Sequence, residues 1–315
     1  MEQLGRYFVI GVTSGLIYAL LAVGIVLVYR GSRVLNFAQG EIGTLALYVS
    51  WAITVQQPLP WVSTLPPTEK WLVGAVAAVI VAGLVGYVFE RLVVRPMADS
   101  SRLSVAVATI GLLTFLVIFE SILWTPNGRI LPPPVAGLGV RVLNYYVSPT
   151  QMIAVVVVVL VAAALTALFR FTDFGLGVQA AAEDQATARL MGVRAGRVSA
   201  FTWTAAAVIA AIAALLIEPT IGVFAPGYIS RLFVFALAAS LVGGLTSLPG
   251  AFVGGIVVGV LDSLLVYVLR STSVGDFVGT RSIPGVDTLV IFAIILGVLL
   301  LRPNGILAAR RVRVA

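Results

Sequence analysis

Few residues in this chain could carry catalytic chemistry. Its 315 residues include no His and no Cys, and Lys70 is the one Lys. Without His the commonest metal ligand and proton shuttle is missing; without Cys there are neither thiolate nucleophiles nor disulfides. A Ser–Lys dyad would need Lys at membrane depth, yet Lys70 falls in the polar, Pro-rich stretch 56–70. A phosphate loop of the G-x-x-x-x-G-K-[ST] kind cannot be assembled from this sequence either. The chain therefore reads as something other than an enzyme, with no catalytic residue, no metal site and no cofactor expected.

What remains is a small set of polar side chains inside apolar runs: Asn36, Gln39, Glu41, Glu120 and Asp262. An ionised group at the centre of a membrane helix costs ~2.5–3.5 kcal/mol on insertion scales, so each of these must be shielded or put to use. The cluster Asn36, Gln39 and Glu41 is the candidate solute pathway. Its competing structural role is helix entry, with Asn36 as N-cap and Gln39 reaching back in capping-box fashion. Asp262 lies deep in its run and is expected to make a salt bridge or a helix-to-helix hydrogen bond. Glu120 and Glu218 near outer span ends, and Glu90 near an inner one, are expected to snorkel to the headgroups.

These residues sit in elements dictated by hydropathy. With 60% hydrophobic and 10% charged residues and a mean hydropathy of +1.09, the composition is that of a polytopic membrane protein. Crossing the hydrocarbon takes ~20 mostly apolar residues, and runs of that kind occur at 7–29, 34–55, 71–91, 103–124, 151–170, 200–217, 231–247, 253–269 and 285–301. The expected fold is an all-α bundle of about nine transmembrane helices, between eight and ten, forming one transmembrane domain over 1–315. Polar residues at the start of 34–55, and the short break at Leu248–Gly250, predict one or more broken or re-entrant helices. The first apolar run is as long as a full span and lacks a cleavage site, so no secretory leader is expected.

Basic residues set the orientation. With nine spans and the N-terminus outside, the inner segments 30–33, 91–102, 170–198 and 302–315 hold thirteen of the 20 Lys and Arg. The net charge of +7 then reads as a cytoplasmic-face signature and an attraction to anionic lipid, not to nucleic acid. The inner loop 172–198 contains strong helix formers over Ala180–Leu190 and then Gly192, suited to end a helix. Ala182, Ala186 and Leu190 form an apolar stripe flanked by Glu183, Asp184 and Arg189, a pattern that fits a groove on another protein. The Pro-rich loops 56–70 and 125–150 read as stiff external connectors. G-x-x-x-G spacings at Gly11/Gly15, Gly250/Gly254 and Gly255/Gly259 mark close helix packing, within the subunit in preference to against a second subunit, and Gly243–Gly244 with Pro249–Gly250 marks an interrupted element, a hinge or a pathway wall.

Four motifs occur in order along the chain: Asn36–Glu41, the Ala-Glu-Asp helix ending at Gly192, Leu241–Ala251, and Leu301–Ile306. Together they resemble the branched-chain amino acid ABC-transporter permease family, most closely the shorter of its two permease types. The chain departs from the family pattern at Gln39, where His is frequent, and at Ala46-Leu47-Tyr48, where Gly-Ala-Tyr is usual. The resemblance implies a translocation subunit in a bacterial inner membrane with its C-terminus in the cytoplasm. Its implied partners are cytoplasmic ABC ATPase subunits, a second permease as homo- or heterodimer, and an extracytoplasmic solute-binding protein. It implies ATPase coupling through Glu183, Asp184, Arg189 and Gly192, and import of branched-chain or similar hydrophobic amino acids, with small amides or urea still open. The alternative is a carrier driven by an ion gradient, using carboxylates such as Glu41 and Asp262; no convincing internal duplication supports it.

Overall fold

The computed structural model describes residues 2–56, 59–135, 137, 139–142, 145–183 and 185–271, with residues 289, 292, 293 and 297 beyond them. Apolar chain in lipid must satisfy its own backbone, and it does so almost entirely as helix. In order these are α1 (Glu2–Ser32), α2 (Gln39–Trp51), α3 (Pro60–Ser63), α4 (Pro67–Phe89), α5 (Arg102–Trp124), α6 (Pro149–Phe171), α7 (Asp173–Glu183), α8 (Gln185–Leu190), α9 (Ala195–Ile221), α10 (Tyr228–Gly243) and α11 (Leu248–Ser271). Single π-helical turns extend α2 over Ala52–Gln56 and α4 over Glu90–Val94. The two strands β1 (Val140–Val142) and β2 (Tyr145–Val147) form a small antiparallel hairpin within the second Pro-rich loop. Among the described residues six helices, α1, α4, α5, α6, α9 and α11, are long and apolar enough to cross a membrane. The chain is an all-α polytopic membrane protein. The ninth expected span, 285–301, lies outside the described residues but for four isolated positions.

Two helices form the centre. α1 and α9 bury about 72% and 67% of their apolar windows, against 28% or less for α4, α5 and α6, which face outward. The central packing rests on small residues: Ala206, Ala207, Ala210, Ala211, Ala213 and Ala214 of α9 are all fully buried, letting neighbouring backbones approach. Glycines do the same between α1 and α11. A Cβ at Gly11 would lie 2.7 Å from the Cα of Val260, and one at Gly15 2.9 Å from that of Ile256, while Gly255 and Gly259 meet Ala19 and Gly15 in return. Gly250 and Gly254 press in the same way against Gly243 and Ala239 of α10. The G-x-x-x-G pairs therefore pack helices within the subunit.

α2 and α10 are shorter than the six long helices. The 16 residues of α10 reach only ~24 Å at 1.5 Å per residue, short of ~30 Å of hydrocarbon, and α2 continued through its π-helical turn to Gln56 reaches ~27 Å. Both follow the same plan. A long helix ends at a residue in the left-handed region, Arg33 (φ 57°) after α1 and Gly222 (φ 81°) after α9. The chain then turns back into the bundle without regular structure, and a short helix starts at depth. α1 runs towards the end occupied by α7, and α9 runs away from it, so the two plans are inverted. The packing repeats the inversion: α1 lies on α10 and α11, as α9 lies on α2 and α4. The sets α1–α2–α4 and α9–α10–α11 form an inverted repeat that the sequence did not disclose.

Candidate functional site

The two re-entrant segments meet where polar residues had been expected to matter. Between α1 and α2 the backbone has no helical partners, so the structure supplies others. The Asn36 side chain accepts from the Ala38 N–H at 3.1 Å, the Phe37 N–H donates to Thr109 Oγ1 of α5 at 3.2 Å, and Gln39 Nε2 donates to the Leu21 carbonyl of α1 at 3.0 Å. Leu21 lies ~17 Å of helix inside Ser32, which places the start of α2 well within the membrane. The capping box does not form: Ala38 precedes α2 without a side-chain cap, and the Gln39 amide reaches across to α1 instead of back to Asn36. Pulling the entry segment back into the bundle brings the Gln39 amide within reach of the second lone pair of the Leu21 carbonyl, and that bond forms in place of the local cap.

Glu41 closes the crossing. Its Oε1 accepts from the Gly227 N–H at 2.8 Å, and its Oε2 from Ser230 Oγ at 2.5 Å and Thr44 Oγ1 at 3.4 Å. Thr44 Oγ1 accepts in turn from the Ile229 N–H at 3.3 Å. A carboxylate on α2 thus caps the N-terminus of α10, where helix dipole and free N–H groups favour negative charge. Gly40 makes the approach possible, since a Cβ there would sit 2.8 Å from the Cα of Ser230. Tyr48 stacks on Trp124 and meets Phe224 edge-on, sealing one side. Around this crossing Asn36 Nδ2, Gln39 Oε1, Tyr48 Oη and both oxygens of Glu120 are buried without a hydrogen-bond partner among the described residues. Glu120 faces the Glu41 carboxyl. Unpaired polar atoms at membrane depth are costly, so they mark where water or a polar solute has most to gain by entering.

The three acids expected to snorkel are instead buried, Glu90 and Glu120 completely and Glu218 to 1%. Glu218 Oε1 accepts from the Leu131 N–H at 2.9 Å, because the loop after α5 folds back over it. Glu90 pairs with Arg95 at 3.1 Å, and Arg95 also donates to the Gly196 carbonyl at 2.8 Å, clamping the end of α4 to the start of α9. Asp262 accepts from the Tyr18 hydroxyl at 3.2 Å, a helix-to-helix bond between α11 and α1.

At the α7 end the chain leaves the spans. Helix formation begins at Asp173, earlier than expected, and the described helical residues run over Asp173–Glu183 and Gln185–Leu190, on either side of residue 184. α7 is tied to the bundle by Gln179 Nε2 donating to the Phe169 carbonyl at 2.6 Å and by an Arg33 guanidinium bond to the Ala182 carbonyl. Glu183 is exposed, Asp184 lies outside the described residues, and Arg189 belongs to α8. Gly192 takes φ 87° in the turn that follows. Beside that turn Leu190 and Met191 stand 88% and 82% exposed, an apolar tip at the end of the segment. The α10–α11 joint is tight: Gly244 has φ 94°, Gly243 and Gly250 touch backbone to backbone, and the Gly250 N–H donates to Ser247 Oγ at 3.0 Å. No group of three or more metal-capable side chains occurs among the described residues.

Residues 7–299 match the family described as branched-chain amino acid transport system, permease component. The chain belongs to this family. It is 34% identical over 308 residues, covering 94% of the chain and 93% of the relative, to the high-affinity branched-chain amino acid transport system permease protein LivH of Salmonella typhimurium, and equally to LivH of Escherichia coli K12. Similarity to BraD of Pseudomonas aeruginosa PAO1, named as the same kind of permease, is 29% over 301 residues, covering 94% and 93%. No solved structure matches the chain. In this member of the family three features stand together: a buried polar crossing of α2 and α10, a tight glycine-rich α10–α11 joint, and an exposed tip at Leu190 and Met191. Sequence reasoning found the first from its Asn, Gln and Glu. It missed Gly227 and Ser230 as partners of Glu41, because nothing local links residues more than 180 positions apart, and it missed that Glu120 faces Glu41 from α5.

Proposed function

We propose that the chain is the transmembrane permease subunit of an ATP-binding-cassette importer for branched-chain or similar hydrophobic amino acids, drawing its energy from a partner ATPase. The observation that carries this reading is the α7–α8 loop of a permease-family chain, held to the bundle at Ala182 and presenting Leu190 and Met191 to solvent. In this reading the loop is the coupling element: Leu190 and Met191 insert into the ATPase, Glu183, Asp184 and Arg189 make polar contacts around them, and Gly192 turns the chain back to the membrane. The α7 end then faces the cytoplasm of a bacterial cell and carries the C-terminus. A second permease subunit, identical or homologous, and an extracytoplasmic binding protein complete the assembly. Asn36, Gln39 and Glu41 line the solute path, which opens when the α2–α10 crossing loosens, and Gly243, Gly244, Pro249 and Gly250 serve as its hinge. Selectivity rests chiefly on the binding protein, so the path itself needs only weak polarity.

The test is a mild-detergent pull-down of the tagged chain from its native membrane, with a Glu183→Lys/Asp184→Lys variant and a Leu190→Asp variant alongside. Recovery of a P-loop ATPase and a second permease with the wild type, lost in the variants while membrane insertion is normal, supports the reading. A second reading, a carrier driven by an ion gradient, draws on the buried carboxyls of Glu41 and Glu120. A chain recovered alone that still takes up solute in ATP-free vesicles would favour it.

A further inference from the structure

α4 and α5 diverge, and the space between them has two parts. At the α7 end is a polar cavity of about 380 Å³ whose wall includes Arg33, Arg95, Arg102, Glu90, Ser100 and Ser199. Three guanidiniums face one carboxylate, and that carboxylate is already spent on Arg95. Arg102 has no ion-pair or hydrogen-bond partner among the described residues. The first residues of two long helices, Arg102 of α5 and Ala195 and Gly196 of α9, also line the cavity, and α9 has no side-chain cap. The helix ends add positive potential to that of the arginines. The acid nearest in sequence, Asp99, is in the exposed turn before α5 and is not part of the wall.

Towards the opposite end the same two helices, with α2 behind them, border a groove of about 620 Å³. Its wall is wholly apolar, including Val85, Val88, Leu92, Leu112, Phe115 and Phe119. The cationic chamber and the apolar groove follow one another along the same pair of helices, the order of head and tail in an amphiphile with an anionic head.

We propose that this cleft is a binding site for an anionic phospholipid, with the phosphate among Arg33, Arg95 and Arg102 and the acyl chains laid along α4 and α5. Charge decides the occupant: an apolar helix would fill the groove but leave Arg102 unpaired and the excess positive charge of the chamber unmatched, and a zwitterionic lipid would bring a cation into a chamber already positive. Ser100 and Ser199 hydroxyls are placed to donate to phosphate oxygens, and Arg102, on the exposed first turn of α5, is free to close over them. Because Arg33 also holds the Ala182 carbonyl, occupancy bears directly on how α7 is seated.

The test uses the full chain in mild detergent, titrated with dioleoylphosphatidylglycerol, dioleoylphosphatidylcholine or inorganic phosphate and followed by native mass spectrometry and thermal stability. The expected result is saturable retention of phosphatidylglycerol with a raised unfolding temperature, and none with phosphatidylcholine. Arg102→Ala should weaken that binding about fivefold, the effect of one arginine on an anionic headgroup. Val88→Trp, which fills the groove from its exposed side, should remove lipid binding without touching the arginines. Equal stabilisation by inorganic phosphate would assign the site to a free anion and overturn the lipid. Phosphatidylglycerol binding unchanged by both variants, or absent in the wild type, would overturn the site itself.

Discussion

Glu41 is the residue on which two re-entrant segments depend. Replacing it with Ala leaves the half-buried Gly227 N–H and Ser230 hydroxyl without this acceptor, and hydrogen bonds to a charged group are worth ~1.5–3 kcal/mol each. Glu41→Ala is therefore expected to cost roughly 3 kcal/mol or more, seen as a lower unfolding temperature in detergent, while Glu41→Gln keeps an acceptor oxygen and recovers part of the loss. The Glu90–Arg95 clamp should respond unequally to its two truncations. Arg95→Ala strands a fully buried carboxylate and should cost ~3–5 kcal/mol, whereas Glu90→Ala leaves a guanidinium that is 34% exposed and can reach water, so its cost should be clearly smaller. Equal losses in the two variants would contradict this account of the clamp. Reading the sequence singled out Glu41 correctly as a group that hydrocarbon will not tolerate unaided. It misjudged Glu90, Glu120 and Glu218 because distance from a span end says nothing about which loop folds over that end.

At the scale of elements, glycine spacing carried the most information. Gly11, Gly15, Gly255 and Gly259 announced a close helix contact, and the structure seats them against each other. Gly15→Leu or Gly259→Leu must push two backbones apart and should cost ~1–3 kcal/mol or more, read as reduced yield of folded protein. Gly111→Leu is the matched control, because a Cβ there meets nothing within 4 Å, and it should be tolerated. The long spans were legible from hydropathy alone, and so was the irregularity at 34–38. The inverted repeat was not: Arg33 and Gly222 occupy equivalent turns, and Gln39 and Tyr228 open equivalent helices, without any residue in common. What the two halves share is direction and depth, which no comparison of letters registers.

Among the described residues burial is concentrated in α1 and α9, with α4 packed on α9 by one face and α5 and α6 more loosely attached. Amide exchange in detergent is therefore expected to be slowest in α1 and α9 and faster along α5, whose packing in the described structure is mainly against α2. Comparable protection in all six long helices would contradict that layering. The pairing of α1 with α11 has a further consequence, because Ser263 Oγ donates to the Tyr7 carbonyl across 256 residues of sequence. During synthesis α1 enters the membrane first, yet its glycine face must wait until nearly the whole chain has left the ribosome. At ~5–20 residues per second that is on the order of tens of seconds. Through that interval the cell's insertion machinery, or a membrane chaperone, has to shelter the most buried helix of the finished protein.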